Sequence, residues 1–426
     1  MVKFMEKKKI VIIGAGFGGI YVARKLKKLI KSGLIEVTLI NKTNYFLFTP
    51  LLHEVATGGL SPISATEPIR EIIRNKRHLP AGSQVQFRQA EVTAINLDEK
   101  IVETNNEKIK FDYLVLATGA ETNFHGISGA KENSLPLKSL RDALSIRARI
   151  IDSFEKAASE PVGEKRTKLL TFVVVGAGAT GAELVAEIAE FVVGTLYPYY
   201  ADTFCKKRDI KIILISREAE ILSHFPKKLR DWSLQILNKK GISVLRDTSV
   251  TKIHENGVSL GGGQKILSSN IFWTAGVSPV LPKIIGNIEL TENNRVKVDQ
   301  NLLALNQDSV FVLGDVAYFK SDENGAVPML AQVAVNQAKT VAENLQNILS
   351  GKQLRSFKYK SMGSLISLGE WQAVGDIFGF KIKGRFAWWL WRTVYLFKFL
   401  SWKKRFRIAF EWTINLFFSR DTTKIN

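Results

Sequence analysis

The sequence predicts an α/β fold with two Rossmann-like domains, on the basis of three observations. The chain has 426 residues, which is more than one ordinary domain core of about 150 residues accommodates. Its hydrophobic content of 46% is typical of a globular protein. A pattern of apolar strand, glycine-rich turn and apolar-periodic helix occurs twice, beginning at Lys7 and at Leu169. Such a pattern is typical of doubly wound parallel sheets.

The first glycine turn follows an apolar strand that runs from Lys7 to Ile13 and precedes a helix predicted over Ile20 to Ile30. In a G-x-G-x-x-G turn the first glycine permits the tight turn, the second lets the backbone approach a pyrophosphate, and the last lets helix and strand pack closely. The helix N-terminus then binds the anion. The candidate residues of this turn are Gly14, Gly16, Gly18 and Gly19.

The next predicted strand, Glu36 to Ile40, ends at Asn41. An acidic residue usually holds the ribose hydroxyls of a bound dinucleotide at this position. Asn41 can still hydrogen-bond a ribose, although without charge assistance.

The second glycine turn follows the strand Leu169 to Val175 and precedes a helix that begins at Ala182. A single G-x-G-x-x-G match is a weak signal, but two matches that each lie between a strand and a helix indicate two bound dinucleotides. The candidate residues of this second turn are Gly176, Gly178 and Gly181.

Two further predicted strands end in short polar motifs. One runs from Phe111 into Thr118 and Gly119, and the other runs from Val310 into Gly314 and Asp315. At the carboxyl end of a strand, Asp315 could accept a hydrogen bond from the ribityl chain of FAD. Taken alone, an aspartate next to a glycine is more often a turn residue.

The order of these four motifs resembles that of the two-dinucleotide-binding flavoprotein superfamily. The resemblance implies that the first turn and the Gly-Asp motif bind FAD, and that the second turn binds NADH or NADPH with Ala275 and Gly276. It implies a discontinuous FAD-binding domain at 1–120 and 290–357, an inserted NAD(P)H-binding domain at 121–289, and a C-terminal membrane-association region at 358–426.

Two segments narrow this resemblance to the type II NADH dehydrogenases, which are single-chain quinone reductases without proton pumping. They are Thr49 to Gly58 and Pro328 to Ala338. The family implies hydride transfer from NADH or NADPH to FAD and then two-electron transfer to a quinone of the menaquinone, ubiquinone or plastoquinone type. Its quinone-site signature, Ala-Gln-x-Ala-x-Gln-Gln, is matched here by Ala331, Gln332, Ala334 and Gln337, with Asn336 in place of the first of the last two glutamines.

The same resemblance suggests four catalytic candidates. An amide side chain can donate to a quinone carbonyl oxygen, and Ala331 and Gln332 are also expected beside FAD. Without the resemblance, Gln332 is a polar residue of a helix N-terminus and Asn336 a surface residue. A carboxylate after the second turn could orient the nicotinamide carboxamide or relay a proton, and it could equally complement the helix dipole. The candidates are Glu183, Gln332, Asn336 and Gln337.

The nicotinamide donor is left open by a departure from the family pattern. After the strand Lys211 to Ile215, most of the family carries a glutamate that binds the NADH ribose, whereas this chain has Ser216 and then Arg217. Loss of the carboxylate removes repulsion against a 2′-phosphate, and Arg217 could pair with that phosphate. In the alternative, Arg217 faces solvent and Glu218 takes over the ribose contact.

The charge balance and the C-terminus indicate a membrane surface. The net charge of +20 favours an anionic partner, either nucleic acid or phospholipid. An aromatic stripe at helical spacing is usually core, but its place at the chain end and its richness in Trp and basic residues favour a lipid boundary. We therefore expect 383–420 to lie in the membrane plane. The stripe consists of Trp388, Trp391, Tyr395, Phe399, Trp402 and Phe406.

Several classes are excluded or disfavoured. The single cysteine, Cys205, excludes an internal disulfide or dithiol and disfavours sulfide:quinone reductase. The five histidines lack metal-ligand spacing, so no metal site is expected. No RNA- or DNA-binding motif accompanies the basic residues. With no signal-peptide run before the first strand, we expect a peripheral protein on the cytoplasmic face of the cell membrane. A homodimer is left open, and the rival functions are another NAD(P)H-dependent flavin reductase or a flavoprotein redox sensor or scaffold.

Overall fold

The structure of the protein is a computed structural model that describes residues 7–74, 85–201, 206–321 and 325–424. The single cysteine, Cys205, and one of the five histidines, His78, lie outside the described residues.

The described residues form strands and helices in alternation. The strands are β1 Lys8–Ile13, β2 Ile35–Asn41, β3 Tyr45–Leu47, β4 Thr66–Pro68, β5 Gln86–Gln89, β6 Val92–Asn96, β7 Ile101–Thr104, β8 Lys108–Lys110, β9 Tyr113–Leu116, β10 Ala120–Thr122, β11 Leu135–Pro136, β12 Thr171–Val175, β13 Lys211–Ile215, β14 Ile242–Leu245, β15 Val250–His254, β16 Gly257–Leu260, β17 Lys265–Leu267, β18 Asn270–Trp273, β19 Val277–Pro279, β20 Lys283–Ile285, β21 Val296–Lys297, β22 Val310–Val312, β23 Ala317–Tyr318, β24 Lys320–Ser321, β25 Gly325–Ala326, β26 Ser364–Ser367, β27 Ala373–Ile377 and β28 Phe380–Lys383.

The helices fall between these strands and at the C-terminus. The α-helices are α1 Phe17–Lys25, α2 Lys27–Lys31, α3 Leu52–Val55, α4 Ile69–Ile73, α5 Ala130–Asn133, α6 Leu140–Ala158, α7 Glu164–Leu169, α8 Ala179–Ala189, α9 Tyr197–Tyr200, α10 Lys227–Lys239, α11 Ala331–Leu349, α12 Arg385–Lys398 and α13 Trp402–Ile414, and a π-helix, Glu190–Leu196, continues α8.

Unit 1 comprises Met1–Phe46, Glu67–Glu121 and Val277–Lys360. Its main sheet has the strand order β22-β9-β1-β2-β5, and neighbouring strands in it are parallel. The central strand β1 is buried from Ile10 onward, as expected for a parallel strand that is covered on both faces. Helix α1 packs against α11. A smaller sheet, β20-β6-β7-β8, completes the core of this unit.

Unit 2 comprises Leu47–Thr66, Thr122–Gly276 and Ser361–Asn426. Its parallel sheet has the order β11-β18-β12-β13-β14. Helix α6 begins with a capping box formed by Ser139 and Asp142, which satisfies N–H groups of the first turn. Helices α6 and α8 both pack against α3. Segment 47–66, assigned from the sequence to the FAD-binding domain, clusters with this unit, and residues 277–289 cluster with unit 1. Which unit binds which dinucleotide stays a prediction.

The C-terminal region forms a three-stranded antiparallel sheet, β26-β27-β28, followed by α12 and α13. Among the described residues, no helix combines the length and apolar character needed to cross a membrane.

The structure corrects the interpretation of the aromatic stripe. Trp388, Trp391 and Phe399 are buried, and the stripe is divided between two helices, since α12 ends at Lys398 and α13 begins at Trp402. Packing against β26 and β27 takes up this face of α12. The interpretation as a lipid contact is therefore wrong for these three residues. Two residues of the stripe, Trp402 and Phe406, are exposed. C-terminal aromatic side chains outside the stripe are exposed as well: Phe386, Trp389, Phe397, Phe410, Phe417 and Phe418.

Candidate active site

The glycine turn of unit 1 connects β1 to α1. Gly14 has a positive φ of 96°, and a Cβ at that position would lie 2.2 Å from the Ala117 carbonyl oxygen. A Cβ on Gly19 would lie 1.9 Å from the Gly14 oxygen, and one on Gly18 would lie 2.9 Å from a Leu313 methyl group. A Cβ on Gly16, by contrast, would meet nothing within 4 Å. Packing against backbone atoms therefore requires Gly14 and Gly19, whereas a Cβ on Gly18 would require only a shift of the Leu313 side chain. Gly16 leaves open space at the N-terminus of α1 for an anion.

The Thr-Gly and Gly-Asp motifs lie at the same edge of the unit 1 sheet as this turn. The Thr-Gly motif follows β9, which pairs with β1, and the Gly-Asp motif follows β22, which pairs with the other side of β9. All three strands are parallel. The Thr118 hydroxyl donates to the Val280 carbonyl oxygen at 2.5 Å, and Gly119 and Gly314 both have a φ of 76°. Asp315 follows directly and is half-buried. The structure thus brings the predicted FAD-binding motifs of three strands together.

Gln337 supports the Gly-Asp turn. Its side chain is buried, and its Oε1 accepts a hydrogen bond from the Gly314 N–H at 2.7 Å. A residue expected at the quinone therefore has a defined structural role within unit 1. Ala331, Gln332 and Asn336 lie in the first turns of α11 and are half-buried. Because Gln332 and Asn336 are four residues apart, their amides share one helix face.

Asn41 joins the end of β2 to the glycine turn. Its Oδ1 accepts the Ala15 N–H at 2.9 Å, and its Nδ2 donates to the carbonyl oxygen and hydroxyl of Thr43 at 2.9 and 3.0 Å. Asn41 therefore positions the turn, whatever contact it also makes to a ribose.

The glycine turn of unit 2 repeats the geometry of the first turn. Gly176 has a φ of 106°, and a Cβ there would lie 2.8 Å from the Cα of Ala275. A Cβ on Gly181 would lie 1.8 Å from the Gly176 oxygen, whereas one on Gly178 would meet nothing within 4 Å. Gly276, with a φ of 137°, lies against the ring of His125. Ala275 and Gly276 are thus brought directly to the second turn.

The end of β13 carries the residues expected to choose the nicotinamide donor. Ser216 is buried, and its hydroxyl donates to the Glu218 carbonyl oxygen at 2.9 Å. The side chains of Arg217 and Glu218 are 75% and 64% exposed and form an ion pair at 3.1 Å. The Ser216 hydroxyl is therefore directed to the backbone, while opposite charges stand side by side in solvent.

Glu183 lies in the second turn of α8 and is buried. Its Oε1 accepts the Ser367 N–H at 3.3 Å, and its Oε2 is 3.8 Å from Nδ1 of His53. Burial raises the pKa of the Glu183 carboxyl well above its usual range, and the charges of Glu187 and Glu54 add to this effect although the Ser367 hydrogen bond opposes it. The protonated, neutral form of Glu183 is therefore favoured relative to that of a solvent-exposed carboxyl.

A cluster of buried and half-buried residues around Glu183, all ionisable except Thr57, was missed in the sequence. Its signal is the spacing of Glu183, Glu187 and Glu190, which puts three acids on one face of a helix whose neighbouring positions are apolar. The remaining members come from distant segments, and no local pattern connects them. The cluster consists of His53, Glu54, Thr57, Glu183, Glu187, Glu190 and Arg420.

Arg420 is the main counter-ion of this cluster. Its guanidinium donates to Glu187 at 2.6 Å, to Glu190 at 3.1 Å and to the Thr57 hydroxyl at 3.1 Å. Burial alone would raise the pKa of Glu187, but Arg420 and His53 outweigh it and hold that pKa below its usual value. The anionic form of Glu187 is therefore favoured, whereas burial favours the protonated form of the neighbouring Glu183.

The two adjacent residues of α3 are shifted in opposite directions. Burial lowers the pKa of His53 to about 4, although Glu187 opposes the shift. Burial and the charge of Glu187 raise the pKa of Glu54 to about 7, and the Glu54 carboxylate accepts the Trp412 indole N–H at 2.6 Å. His53 is consequently neutral at pH 7.

Two units that each present an open glycine turn at the carboxyl edge of a parallel sheet define an α/β oxidoreductase of two dinucleotides. The chain matches the pyridine nucleotide-disulphide oxidoreductase family over residues 8–338 and the NDH2 C-terminal domain family over residues 361–421.

Individual relatives give the same result. The chain is 32% identical to a probable NADH dehydrogenase of Dictyostelium discoideum over 98% of this chain and 92% of that protein. It is 32% identical to the type II NADH:quinone oxidoreductase Ndh of Mycobacterium tuberculosis over 97% of this chain and 89% of that protein. Its structure matches that of NDH2 from Plasmodium falciparum in complex with NADH with a TM-score of 0.90, at 25% identity, over 98% of this chain and 100% of that chain.

The chain belongs to the type II NADH:quinone oxidoreductase family. The predicted family, fold class and enzyme class are confirmed.

Proposed function

We propose that the protein oxidises NADH, with bound FAD, and reduces a membrane quinone without pumping protons. The observation that carries this proposal is the pair of glycine turns, each with an exposed middle glycine, Gly16 or Gly178, on which a Cβ would meet nothing within 4 Å. Bound FAD accepts a hydride equivalent from a nicotinamide and gives two electrons to a quinone.

The residues of unit 1 would hold FAD and orient the quinone. The N-terminus of α1 binds the pyrophosphate through backbone N–H groups next to Gly16. Asp315 accepts from the ribityl hydroxyls, and the buried Gln337 fixes the turn that carries it. The amides of Gln332 and Asn336, on one face of α11, donate to a quinone oxygen as negative charge develops there.

The residues of unit 2 would hold the nicotinamide cofactor. Gly178 leaves the N-terminus of α8 open to the pyrophosphate of NADH. Glu183 lies about one helical turn further along, within roughly 8 Å of that terminus at 1.5 Å per residue. A neutral carboxyl at this distance can hydrogen-bond the carboxamide and supply a proton.

The exposed aromatic residues of the C-terminal helices would bind the lipid surface in which the quinone is dissolved. Phe406 and Phe410 are about 70% exposed, and Lys403 and Arg407 are exposed on the same helix. Aromatic side chains interleaved with cations favour the headgroup boundary of anionic lipid. We place the protein on the cytoplasmic face of the membrane. The homodimer left open by the sequence stays a prediction.

A two-step stopped-flow experiment tests the enzymatic proposal. Anaerobic NADH should bleach the flavin absorbance of the purified holoprotein, and a short-chain quinone mixed in afterwards should restore it. Bleaching that only oxygen or a ferricyanide-type acceptor reverses would make the protein another flavin reductase. Failure of NADH to bleach the flavin would favour a sensor or scaffold.

Vesicle flotation tests the membrane proposal. The double variant Phe406→Ser/Phe410→Ser should lose binding to vesicles of anionic phospholipid, whereas Val162→Ser, at an 88% exposed position outside the C-terminal helices, should bind like the parent. Equal binding of all three proteins would refute the assignment of this surface.

A further inference from the structure

The proposed reaction requires one proton from water in each turnover. NADH, a quinone and one proton give NAD⁺ and a quinol, so the hydride supplies one hydrogen and the solvent supplies the other. A buried reaction centre therefore needs a route for that proton. The inference below rests on the proposed function and concerns the source of this proton.

Unit 2 contains a buried series of acid–base groups that begins at Glu183. Its Oε2 lies 3.8 Å from Nδ1 of His53, a separation that one bridging water or a small side-chain rotation closes. His53 is 3% exposed, and its Nε2 has no hydrogen-bond partner among the described residues. The Thr57 hydroxyl lies 3.0 Å from the carbonyl oxygen of His53 and 3.3 Å from Oε2 of Glu187, so His53 and Glu187 flank the same hydroxyl. The series thus continues from Glu183 through His53 to Glu187.

The series reaches water at its other end. Arg420 bonds Oε2 of both Glu187 and Glu190 through its two terminal nitrogens, so these carboxylates lie side by side. Glu190 also pairs with Lys240 and accepts the Glu370 N–H at 2.6 Å. The side chains of Glu190 and Glu370 are 17% and 39% exposed, whereas that of Glu187 is 5% exposed. Exposure therefore increases from Glu187 outward.

The charge states give the series a direction. Burial favours the protonated form of Glu183, His53 is neutral with one donor and one acceptor nitrogen, and Arg420 favours the anionic form of Glu187, which can accept a proton. The charged and titratable groups that act on Glu187 come from α3, from its own helix, from α10, from α12 and from the C-terminal tail: His53, Glu54, Glu183, Glu190, Lys240, Arg392 and Arg420.

We propose that Glu190, Glu187, His53 and Glu183 form the route by which the solvent proton enters the reaction, with Arg420 as a positioning residue. The O–H bond of Glu183 breaks as its proton enters the reaction. One ring nitrogen of His53 then gives its proton to Glu183, and the other accepts a proton that passes inward from Glu187. Glu187 receives its proton from water through Glu190. The protein therefore neither gains nor loses a proton in a complete turnover.

The test separates the two half-reactions of the holoprotein. Flavin bleaching by NADH consumes no solvent proton, whereas reoxidation by quinone does. In His53→Gln, and in the charge-balanced double variant Glu187→Gln/Arg420→Gln, reoxidation should slow by tenfold or more and show a larger solvent deuterium isotope effect. Bleaching should change less than twofold. Glu132→Gln, at an exposed position in α5, is the matched control and should behave like the parent.

Three outcomes would overturn the route: reoxidation within twofold of the parent in both variants, equal slowing of both half-reactions, or an unchanged isotope effect. If one variant does not retain flavin, the other decides. Glu187→Asp, which keeps the acid, should recover at least part of the reoxidation rate, and no recovery would also count against the route. Failure of quinone to reoxidise the parent protein would refute the proposed function itself. Reoxidation of the parent is therefore measured before any variant is made.

Discussion

The two glycine turns have nearly the same backbone but very different surroundings. In each, the first glycine has a φ near 100° (96° for Gly14 and 106° for Gly176). In each, a Cβ on the last glycine would lie within 2 Å of the first glycine's carbonyl oxygen (1.9 Å for Gly19 and 1.8 Å for Gly181). Their helices diverge immediately. Helix α1 has no acidic residue and ends in Arg24 and Lys25, whereas α8 and its π-helical continuation carry three acids toward the interior.

The difference shows how one scaffold serves two tasks. A parallel strand followed by a glycine turn and a helix forms an anion-binding end wherever it occurs. The side chains further along the helix determine which acid–base groups the site contains. Glu187 remains inside because a residue distant in sequence, Arg420, compensates its charge. The helix behind the second turn therefore depends on the C-terminal tail, whereas α1 buries no charged residue that needs such a partner.

The largest expected effect tests that dependence. Arg420→Gln leaves Glu187 buried without its counter-ion, and breaking a buried ion pair of this kind costs about 3–5 kcal/mol. Lys25→Gln, which removes an exposed cation from α1, should change stability by less than about 0.5 kcal/mol. The free energy of unfolding in urea measures both. Equal, small changes would mean that unit 2 does not need the tail, and the comparison of the two turns would fail.

A second pair of substitutions should separate packing from ligand binding in both turns. Gly181→Ala and Gly19→Ala place a Cβ within 2 Å of a backbone oxygen, and such overpacking destabilises by about 3 kcal/mol. Gly178→Ala and Gly16→Ala meet no protein atom within 4 Å and should leave stability unchanged without ligand. They should instead weaken NADH and FAD binding respectively, as titration calorimetry and flavin retention measure. A Gly178→Ala protein that binds NADH normally would remove the anion site from this turn.

The sequence predicted the parts of this arrangement that local patterns determine. The strands β1 and β12, the turns that follow them and a helix N-terminus around Gln332 were all recognisable, because periodicity and glycine spacing are local signals. The predicted helix 20–30 is divided in the structure into α1 and α2. Arg420 could not be predicted, since nothing near residue 420 indicates partners at positions 187 and 190.

The C-terminal helices show the limit of a periodicity argument. Spacing by three and four residues identified a helical stripe with Trp388 and Trp391, but spacing does not show which face meets the protein and which meets solvent. Both Trp side chains are buried, while Trp389 and Phe397 are exposed. Only the packing of α12 on β26 and β27 determines the outward face.

The third prediction is that pH acts on stability through the residues that face α8. The pKa of His53 falls from 6.5 to about 4 on folding, so the folded state holds this proton more weakly than the unfolded chain. The contribution of His53 to the free energy of unfolding is complete above pH 6.5 and is lost as the pH falls through 4. In His53→Gln the free energy of unfolding should no longer fall with acid through this group. The difference amounts to at most about 3 kcal/mol, since one pKa unit corresponds to 1.36 kcal/mol.

Glu54 should give the opposite dependence. Its pKa rises from 4.5 to about 7 on folding, so its contribution is complete below pH 4.5 and is lost as the pH rises through 7. Glu54→Gln should therefore be more stable relative to the parent at pH 8 than at pH 5, when urea unfolding is measured at both. Parallel pH profiles for the parent and both variants would show that these residues are not the source of the pH dependence.

The smallest expected effect concerns the end of the second strand in each unit. In unit 1 that position is closed by Asn41, which bonds the glycine turn. In unit 2 it is followed by the exposed pair Arg217 and Glu218, whose opposite charges stand 3.1 Å apart. A 2′-phosphate would be attracted by the first and repelled by the second. We expect the attraction by Arg217 and the repulsion by Glu218 to cancel. The enzyme should then accept NADPH, but with no higher kcat/KM than for NADH.

Glu218→Gln should free Arg217 for the phosphate and raise the ratio of kcat/KM for NADPH to that for NADH about tenfold, which corresponds to about 1.4 kcal/mol. Arg217→Gln should lower the same ratio by a similar factor while the NADH value stays constant. Lys227→Gln removes one partner of the exposed pair Lys227–Asp231 on α10 and should leave the ratio unchanged. If NADH is strongly preferred and neither Arg217 nor Glu218 affects that preference, the donor is chosen elsewhere in unit 2. The two strand ends would then differ in sequence but not in function.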